Sequence, residues 1–221
     1  MRVNAAMNPS GTCNEHPAIC PRGASSRLAG VDRRRYSPAM HVLFVCNGNV
    51  CRSAIAERLA VAIAAELGPA APGARTLSAE SAGTRALVGF PMEPVAAEVV
   101  RGLGGDPSGF VARRLRTELI ERADLVLAMS ESVRDEVVRL VPEAAPRTFT
   151  LPEAHRIVWL TGARTVREMA AGRDNVRPGG ESISDPVGLR REAFERVGEE
   201  IAEALLQVIP ALHAGGWSEV A

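Results

Sequence analysis

The segment from Cys46 to Ser53, Cys-Asn-Gly-Asn-Val-Cys-Arg-Ser, combines two thiols with an arginine and a glycine. An apolar, strand-like run ends at Cys46 and an amphipathic helical pattern begins at Ser53, so the residues between them should form a tight loop. The N–H groups of a loop that opens a helix converge on an anion, and the Arg52 guanidinium matches two oxygens of a phosphate. A thiol in that field loses its proton readily, which makes Cys46 a candidate nucleophile toward phosphorus. The competing interpretation is a buried cysteine that ends a core strand, beside a solvated arginine.

The elements that must position this loop alternate between strands and helices. Ser53 and Ser130 are expected to cap their helices, and Pro210 to bend or stop the last helix near Ile209. The alternation indicates an α/β fold of three layers, a four-stranded parallel sheet flanked by helices, with ligands at the carboxyl ends of the strands. Apolar spacing and breakers predict strands over 41–46, 75–81, 125–129 and 147–151, and helices over 53–67, 91–103, 117–122, 130–141 and 192–212.

Residues 1–40 differ in composition from the rest of the 221-residue chain. They carry six arginines against two acidic residues, a net charge of +4, whereas residues 41–221 carry 20 arginines against 24 acidic residues, a net charge of −4. With scattered prolines and no apolar periodicity, residues 1–40 are expected to form a disordered extension, with Met40 as an alternative natural start. A domain over 41–214 and a tail over 215–221 follow. Residues 152–184 form an insert, either a lid or partner-binding surface or a solvated helical decoration.

Composition also disfavours several classes of function. The 26 basic residues, all arginine, balance 26 acidic residues, which argues against a bulk basic surface for nucleic acid. No run reaches the ~18 apolar residues of a membrane span, and no apolar signal core is present, so we expect no membrane association and a cytoplasmic location. The four cysteines all precede residue 52, which excludes a disulfide framework across the domain. Cys13 and Cys20, with His16 between them, are too few for a zinc site, and neither a metal nor a cofactor is expected.

Four segments, in this order, resemble the low-molecular-weight protein tyrosine phosphatases. The resemblance spans residues 41–212 and implies the phosphotyrosine phosphatase I-like fold. The segments are Val45–Ser53, Ser81–Thr84 with Gly89 and Pro91 after it, Ala123–Met129, and Asp185-Pro186 upstream of the last helix.

The resemblance implies roles for individual residues. Cys46 attacks phosphorus and becomes a phosphocysteine, while Asp185 protonates the leaving oxygen and then helps a water to hydrolyse the intermediate. Ser53 donates to the thiolate, and Ser81 belongs with Asn49 to the hydrogen bonds that support the loop. Cys51 either pairs with Cys46 under oxidation or simply packs. The residues implied in phosphate binding are Asn47, Gly48, Asn49, Val50, Cys51, Arg52 and Ser53.

The implied activity is hydrolysis of phosphomonoesters, chiefly protein phosphotyrosine. The expected partner is a phosphorylated protein, with a tyrosine kinase as one candidate, and the expected state is a monomer or weak homodimer. Three departures from the family bear on the substrate preference. Val187-Gly188 follow Asp-Pro where the family usually has aromatic residues, and Leu87 or Val88 stands where some members have an aromatic residue. Phe110 stands where the family often has a histidine that supports the loop asparagine.

Three alternative functions stay open at this point. A phosphoarginine phosphatase shares the fold and loop, although such members tend to have threonine where this chain has Val50. An arsenate reductase needs further cysteines to relay electrons, and none follows Cys51. A non-catalytic phosphate-binding scaffold is the third alternative, against which the presence of Cys46, Arg52 and Asp185 argues.

Overall fold

A four-stranded parallel sheet forms the centre of the molecule. The computed structural model describes residues 39–68, 76–176 and 182–215. Residues 1–38 of the predicted extension, with Cys13, His16 and Cys20, lie outside the described residues, whereas residues 39 and 40 belong to the first strand, so the predicted extension is two residues too long. The predicted α/β architecture is confirmed. The strands are β1 (Ala39–Cys46), β2 (Thr76–Gly83), β3 (Leu125–Ala128) and β4 (Thr148–Thr150), in the spatial order β2-β1-β3-β4. The α-helices are α1 (Arg52–Leu67), α2 (Pro94–Gly102), α3 (Thr117–Arg122), α4 (Glu131–Leu140), α5 (Leu151–Thr161), α6 (Val166–Gly172) and α7 (Arg191–Ala214), with short 3-10 helices at Pro142–Arg147 and Arg173–Asn175.

Strand β1 is central, and its side chains alternate between two apolar cores. Val42 and Phe44 are fully buried on the face that α1, α2, α5, α6 and α7 cover. Leu43 and Val45 are fully buried on the other face, against α3 and α4. Because both faces are covered, β1 is a continuous apolar run. Its carboxyl end, Cys46, lies at the end of the sheet where ligands of such folds bind.

The segment after β4 belongs to the core. Helix α5 begins directly after the strand, where Thr150 Oγ1 accepts from the Glu153 N–H (3.1 Å) and the Glu153 carboxylate accepts from the Thr150 N–H (3.1 Å). Ile157 of α5 and Met169 of α6 are fully buried, and α5 packs against α7. The interpretation of this region as a solvated helical decoration is therefore wrong for α5 and α6, because each helix buries an apolar face in the main core.

Helix α7 continues past Pro210 to Ala214, so of the predicted bend or stop near Ile209 the stop is wrong. Proline removes one backbone hydrogen bond from a helix, but Val208, Ile209 and Leu212 on both sides of it are buried. Burial of this apolar face offsets the missing bond and holds the last turn in place. No helix in the described ranges, α7 included, combines the length and the apolar character needed to cross a membrane.

Strand β4 lies at an edge of the sheet, and the Arg173 side chain lies over it. The guanidinium donates to the carbonyls of Thr148 (2.6 Å) and Ala145 (3.2 Å) and to the Glu153 carboxylate (2.8 Å). It also stacks on the Phe149 ring, with the guanidinium carbon 4.1 Å from the ring centroid. The residue that follows α6 thus covers the short edge strand.

Candidate active site

Residues 47–51 turn the chain from β1 into α1 and line a pocket at the carboxyl end of the sheet. Within this loop Asn49 has a positive φ of 55°, a conformation that asparagine tolerates better than most residues do. Helix α1 begins at Arg52, one residue earlier than predicted.

A second segment, residues 83–87, runs alongside the loop and fixes its backbone. Gly83 makes the close approach possible, because a Cβ at this position would lie 2.4 Å from the Asn47 carbonyl oxygen. The backbone hydrogen bonds between the two segments run from the Thr84 N–H to the Cys46 carbonyl (3.0 Å), from Arg85 to Asn47 (2.9 Å) and from Leu87 to Gly48 (3.0 Å).

The Cys46 sulfur is in hydrogen-bond contact with the loop and with the first turn of α1. The Asn49 N–H donates to Sγ (3.2 Å), and the Ser53 hydroxyl lies 2.9 Å from it. A thiolate at this position can accept both hydrogen bonds. The prediction that Ser53 caps α1 is wrong: it lies inside the helix, and its hydroxyl faces the sulfur instead of an orphan backbone N–H.

Asn49 is the centre of the hydrogen bonds beneath the loop. Its Nδ2 donates to the hydroxyls of Ser53 (3.0 Å) and Ser81 (2.8 Å), and its Oδ1 accepts from the Arg113 N–H (2.8 Å). Ser81 donates in turn to Glu57 Oε2 (2.6 Å). Because Ser81 gives its proton to Glu57, it accepts from Asn49. Ser53 also accepts from Asn49, and this leaves its own proton free for the Cys46 sulfur when the sulfur is a thiolate.

The Arg52 guanidinium is buried and connects α1 with the segment before α7. Its Nη1 donates to the Ile183 carbonyl (3.0 Å), and its Nη2 forms an ion pair with Asp185. Its Nε–H is buried without a hydrogen-bond partner among the described residues. Buried donors rarely stay unpaired, so Nε is available to an anion. The Asp185 carboxylate, 46% exposed, also accepts from the Val187 N–H (3.3 Å).

One cavity of about 250 Å³ brings these groups together. Cys46, the loop through Arg52, and Asp185 line it, and exposed side chains of Arg85, Leu87 and Val187 complete its wall. Ser53 and Ser81 are fully buried and do not line the cavity. The structure therefore assembles the residues singled out in the sequence, with the two serines beneath the loop rather than in its wall.

The second loop cysteine is in a different environment. Cys51 is buried, and that burial, with smaller contributions from Cys46 and Asp185, raises the pKa of its thiol far above the ordinary value. Near neutral pH Cys51 is thus a protonated thiol and a poor nucleophile. Both Cys46 and Cys51 are free in the structure.

Sequence reasoning missed three contributors to the site: Glu57, Ile183 and Arg85. Glu57 is one of two acidic residues on α1, and its only signal is its place four residues after Ser53 on the buried side of the helix. Burial raises the pKa of Glu57, and the Ser81 hydrogen bond opposes that shift. Ile183 acts through its backbone carbonyl, which no side-chain pattern reveals. In the described part of the chain, no group of three or more His, Cys, Asp or Glu residues could hold a metal ion.

The departure at Phe110 changes what surrounds the supporting network. Phe110 is buried, and the Arg58 guanidinium carbon lies 5.6 Å from its ring centroid. Support of Asn49 comes from the backbone N–H of Arg113, whose Nε also donates to the Ser81 carbonyl (2.7 Å). The loop asparagine is therefore held without a histidine at position 110.

Comparison with known proteins agrees with this geometry. The sequence model of the low molecular weight phosphotyrosine protein phosphatase family matches residues 41–216. The chain is 30% identical over 175 residues to the "Probable low molecular weight protein-tyrosine-phosphatase EpsP" of Ralstonia nicotianae, which covers 79% of this chain and 97% of that protein.

Solved structures give the same result. The low molecular weight protein tyrosine phosphatase from T. tengcongensis matches with a TM-score of 0.61 and 33% identity, over 78% of this chain and 99% of that one. The YwlE arginine phosphatase from Geobacillus stearothermophilus matches with a TM-score of 0.61 and 26% identity, over 80% of this chain and 94% of that one. By sequence and by fold, the chain belongs to the low molecular weight phosphotyrosine protein phosphatase family.

Proposed function

We propose that this protein hydrolyses phosphotyrosine in phosphorylated proteins through a phosphocysteine on Cys46. One observation carries the assignment of residues: the Cys46 sulfur, the buried and unpartnered Nε–H of Arg52, and the Asp185 carboxylate belong to residues that line a single cavity. That cavity lies at the carboxyl end of the central strand, where a parallel sheet binds its ligand.

In the first step, the Cys46 thiolate attacks phosphorus. A sulfur–phosphorus bond forms while the bond from phosphorus to the leaving oxygen breaks, and Asp185 gives its proton to that oxygen. The loop N–H groups and Arg52 stabilise the charge on the three equatorial oxygens, where phosphoryl transfer needs it.

In the second step, water attacks the phosphorus of the phosphocysteine. Asp185, now a carboxylate, accepts a proton from the water as the sulfur–phosphorus bond breaks. The Cys46 thiolate returns, and inorganic phosphate leaves. The hydrogen bonds from Asn49 and Ser53 support the thiolate as the leaving group.

The ion pair between Arg52 and Asp185 links substrate binding to the acid. A phosphate dianion competes with the carboxylate for the guanidinium and matches its two-point geometry. When phosphate takes Arg52, Asp185 is released toward the leaving oxygen. The acid then becomes available at the moment when there is a group to protonate.

Two features of the cavity favour phosphotyrosine over phosphoarginine. Leu87 and Val187 supply apolar walls on which a phenol ring can pack. Arg85 adds a cation to the same wall, and a phosphoarginine substrate would bring a second guanidinium beside it, which like-charge repulsion disfavours. The similarity to an arginine phosphatase makes phosphoarginine the alternative that the test must include.

We place the enzyme in the cytoplasm and expect a tyrosine-phosphorylated kinase among its partners. A nucleophilic thiol needs a reducing compartment, which supports the location. The tyrosine phosphatase names of the relatives support the substrate class.

The test is hydrolysis of para-nitrophenyl phosphate across about pH 5–8 by reduced protein. Cys46→Ser should abolish turnover, since the thiolate is the nucleophile, and Asp185→Asn should lower it by roughly 10²- to 10⁴-fold through loss of general acid–base catalysis. Asp135→Asn, an exposed carboxylate change on α4, is the matched control and should leave turnover unchanged.

Two outcomes would contradict the proposal. If folded, reduced wild-type protein shows no turnover, the phosphatase function is wrong and a phosphate-binding scaffold is favoured. If phosphate is released faster from a phosphoarginine peptide than from a matched phosphotyrosine peptide, the substrate is phosphoarginine. The mechanism through a phosphocysteine would then still stand.

A further inference from the structure

Arg85 is a cation in the cavity wall whose charge the chemistry of phosphoryl transfer does not use. The residue is exposed, and no described residue forms an ion pair or side-chain hydrogen bond with its guanidinium. The acidic residue of the cavity, Asp185, is the partner of Arg52. A bound phosphate contacts the loop N–H groups and Arg52, and the Asp185 that it displaces turns to the leaving oxygen. Arg85 therefore stays without an ion-pair partner when the phosphate binds.

The backbone under Arg85 is held tightly against the phosphate loop. The Arg85 N–H donates to the Asn47 carbonyl (2.9 Å), and two residues later the Leu87 N–H donates to the Gly48 carbonyl (3.0 Å). The Cα of Arg85 therefore keeps a fixed place relative to the bound phosphate, while the side chain reaches over the mouth of the cavity. A cation whose backbone is held in place can distinguish substrates by the charge of a group beside the phosphotyrosine.

The surface beside Arg85 suits a polypeptide rather than a small phosphoester. Val88, Phe90 and Val111 are 59%, 60% and 59% exposed. They form one surface, because the Gly89 N–H donates to the Ala112 carbonyl (2.9 Å) and the Ala112 N–H donates to the Phe90 carbonyl (2.8 Å). This apolar surface continues from Leu87 in the cavity wall, and contiguous exposed apolar groups mark contact sites for other proteins.

We propose that Arg85 binds an acidic side chain next to the phosphotyrosine of the substrate protein, so that the enzyme selects acid-flanked sites. The inference rests on the proposed function, since it names a specificity determinant of the same cavity. The carboxylate pairs with the guanidinium at the rim while the ring packs between Leu87 and Val187. Arg85 is thereby a specificity-determining residue and takes no part in the bond changes.

The experiment compares two phosphotyrosine peptides of otherwise identical sequence. One has glutamate on both sides of the phosphotyrosine, and the other has glutamine at the same two positions. Wild-type protein should cleave the glutamate peptide with a kcat/KM about two- to fivefold higher, mainly through KM, as expected for an exposed charge pair. The preference should shrink as salt screens the pair. Arg85→Gln should bring the ratio of the two kcat/KM values to about one. Arg101→Gln, which removes an exposed arginine from the last turn of α2, should keep the wild-type ratio.

The outcomes separate this inference from the proposed function. Equal cleavage of both peptides by wild-type protein overturns the role of Arg85 while the phosphatase activity stands. An equal loss by Arg85→Gln on both peptides and on para-nitrophenyl phosphate also overturns it, because the residue would then serve the phosphate or the loop. Absence of turnover on every substrate with reduced wild-type protein is a failure of the proposed function itself.

Discussion

Glu57 is largely buried, and it accepts a hydrogen bond in the network beneath the phosphate loop that reaches the nucleophile. It accepts the Ser81 proton, and Ser81 accepts from Asn49. Asn49 also donates to Ser53, whose hydroxyl lies against the Cys46 sulfur. A carboxylate in this place supplies an acceptor without competing donors. The arrangement has an electrostatic cost, because burial disfavours the charged form and raises the pKa of Glu57.

This cost predicts how stability depends on pH. The folded-state pKa of Glu57 lies above its ordinary value of 4.5, so its contribution to stability is fully present below about pH 4.5 and is lost as pH rises through the folded-state pKa. The Gln side chain of Glu57→Gln cannot ionise. The free energy of unfolding of this variant should therefore rise relative to that of wild type as the pH is raised from about 4.5 to 7. Urea denaturation of both proteins across that range measures the difference.

The matched control for this series is Glu121→Gln, on the exposed side of α3. It makes the same carboxylate-to-amide change outside the network of Glu57, so the effect of the burial of Glu57 is the part of the difference that Glu57→Gln shows and Glu121→Gln does not. A difference for Glu57→Gln that follows that of Glu121→Gln across the range would contradict the assigned burial cost. Arg58, Arg113 and Glu80 also act on the Glu57 carboxylate, and all three stay unchanged in the comparison.

At this scale the sequence was informative where residue type alone fixes the chemistry. The types and spacing of Cys46 and Arg52 singled out the loop, and the resemblance to the family added Asp185. All three residues line one cavity. The sequence was misleading at Ser53, because a serine at the start of a helix fits both an N-cap and a donor to sulfur. Only the three-dimensional contact with Cys46 distinguishes the two.

At the scale of elements, the site depends on how closely β2 approaches the loop. Gly83, the last residue of β2, leaves no room for a Cβ against the Asn47 carbonyl oxygen at 2.4 Å or the Asn49 nitrogen at 3.0 Å. These neighbours are backbone atoms that cannot rotate away. Any side chain at position 83 must therefore push the loop from its place.

Gly83→Ala should reduce kcat/KM on para-nitrophenyl phosphate by roughly 10- to 100-fold, because displacement of a catalytic loop by about 1 Å is costly. Gly102→Ala is the matched control, since a Cβ at that end of α2 meets nothing within 4 Å. It should retain wild-type kcat/KM and should not lower stability. Equal activity of the two variants would contradict the steric argument.

Element boundaries were predictable where local signals act alone. Helix α3 spans Thr117–Arg122 as predicted, and Ser130 caps α4 by accepting from the Val133 N–H. Helix α2 instead starts at Pro94, three residues later than expected. The Glu93 N–H donates to the Val50 carbonyl (2.8 Å), so the chain before α2 is hydrogen-bonded to the phosphate loop. No local sequence pattern reveals this contact.

At the scale of the whole molecule, α7 packs along α1, α2 and α5 and joins much of one face of the core. Its extent was predicted from apolar spacing, whereas the expected effect of Pro210 allowed a stop that does not occur. Local propensity assigns proline as a breaker, whereas burial of Ile209 and Leu212 against the assembled core outweighs it. Tertiary packing of this kind becomes visible only when the other helices are in place.

Pro210→Ala should therefore stabilise the protein. Alanine restores the backbone N–H and removes the ring clash, so the free energy of unfolding should rise by up to about 3 kcal/mol. For a chain of this size, each kcal/mol raises Tm by about 2–4 °C. Calorimetry of Pro210→Ala beside Gln207→Ala, an exposed position on the same helix, measures the effect. An unchanged or lower Tm for Pro210→Ala would show that the proline is favourable in this helix.

Arg173, which lies over β4, affects whether another polypeptide can add a strand to this edge of the sheet. An uncovered edge strand offers unpaired main-chain groups to which another polypeptide can add a strand. Here the Thr148 carbonyl is occupied by Arg173, whose guanidinium also rests on the Phe149 ring. The sheet cannot be extended at this edge without first displacing a stacked and ion-paired side chain. Arg173 thereby disfavours the addition of a foreign strand at this edge, and such protection of edge strands guards sheet proteins against fibrous aggregation.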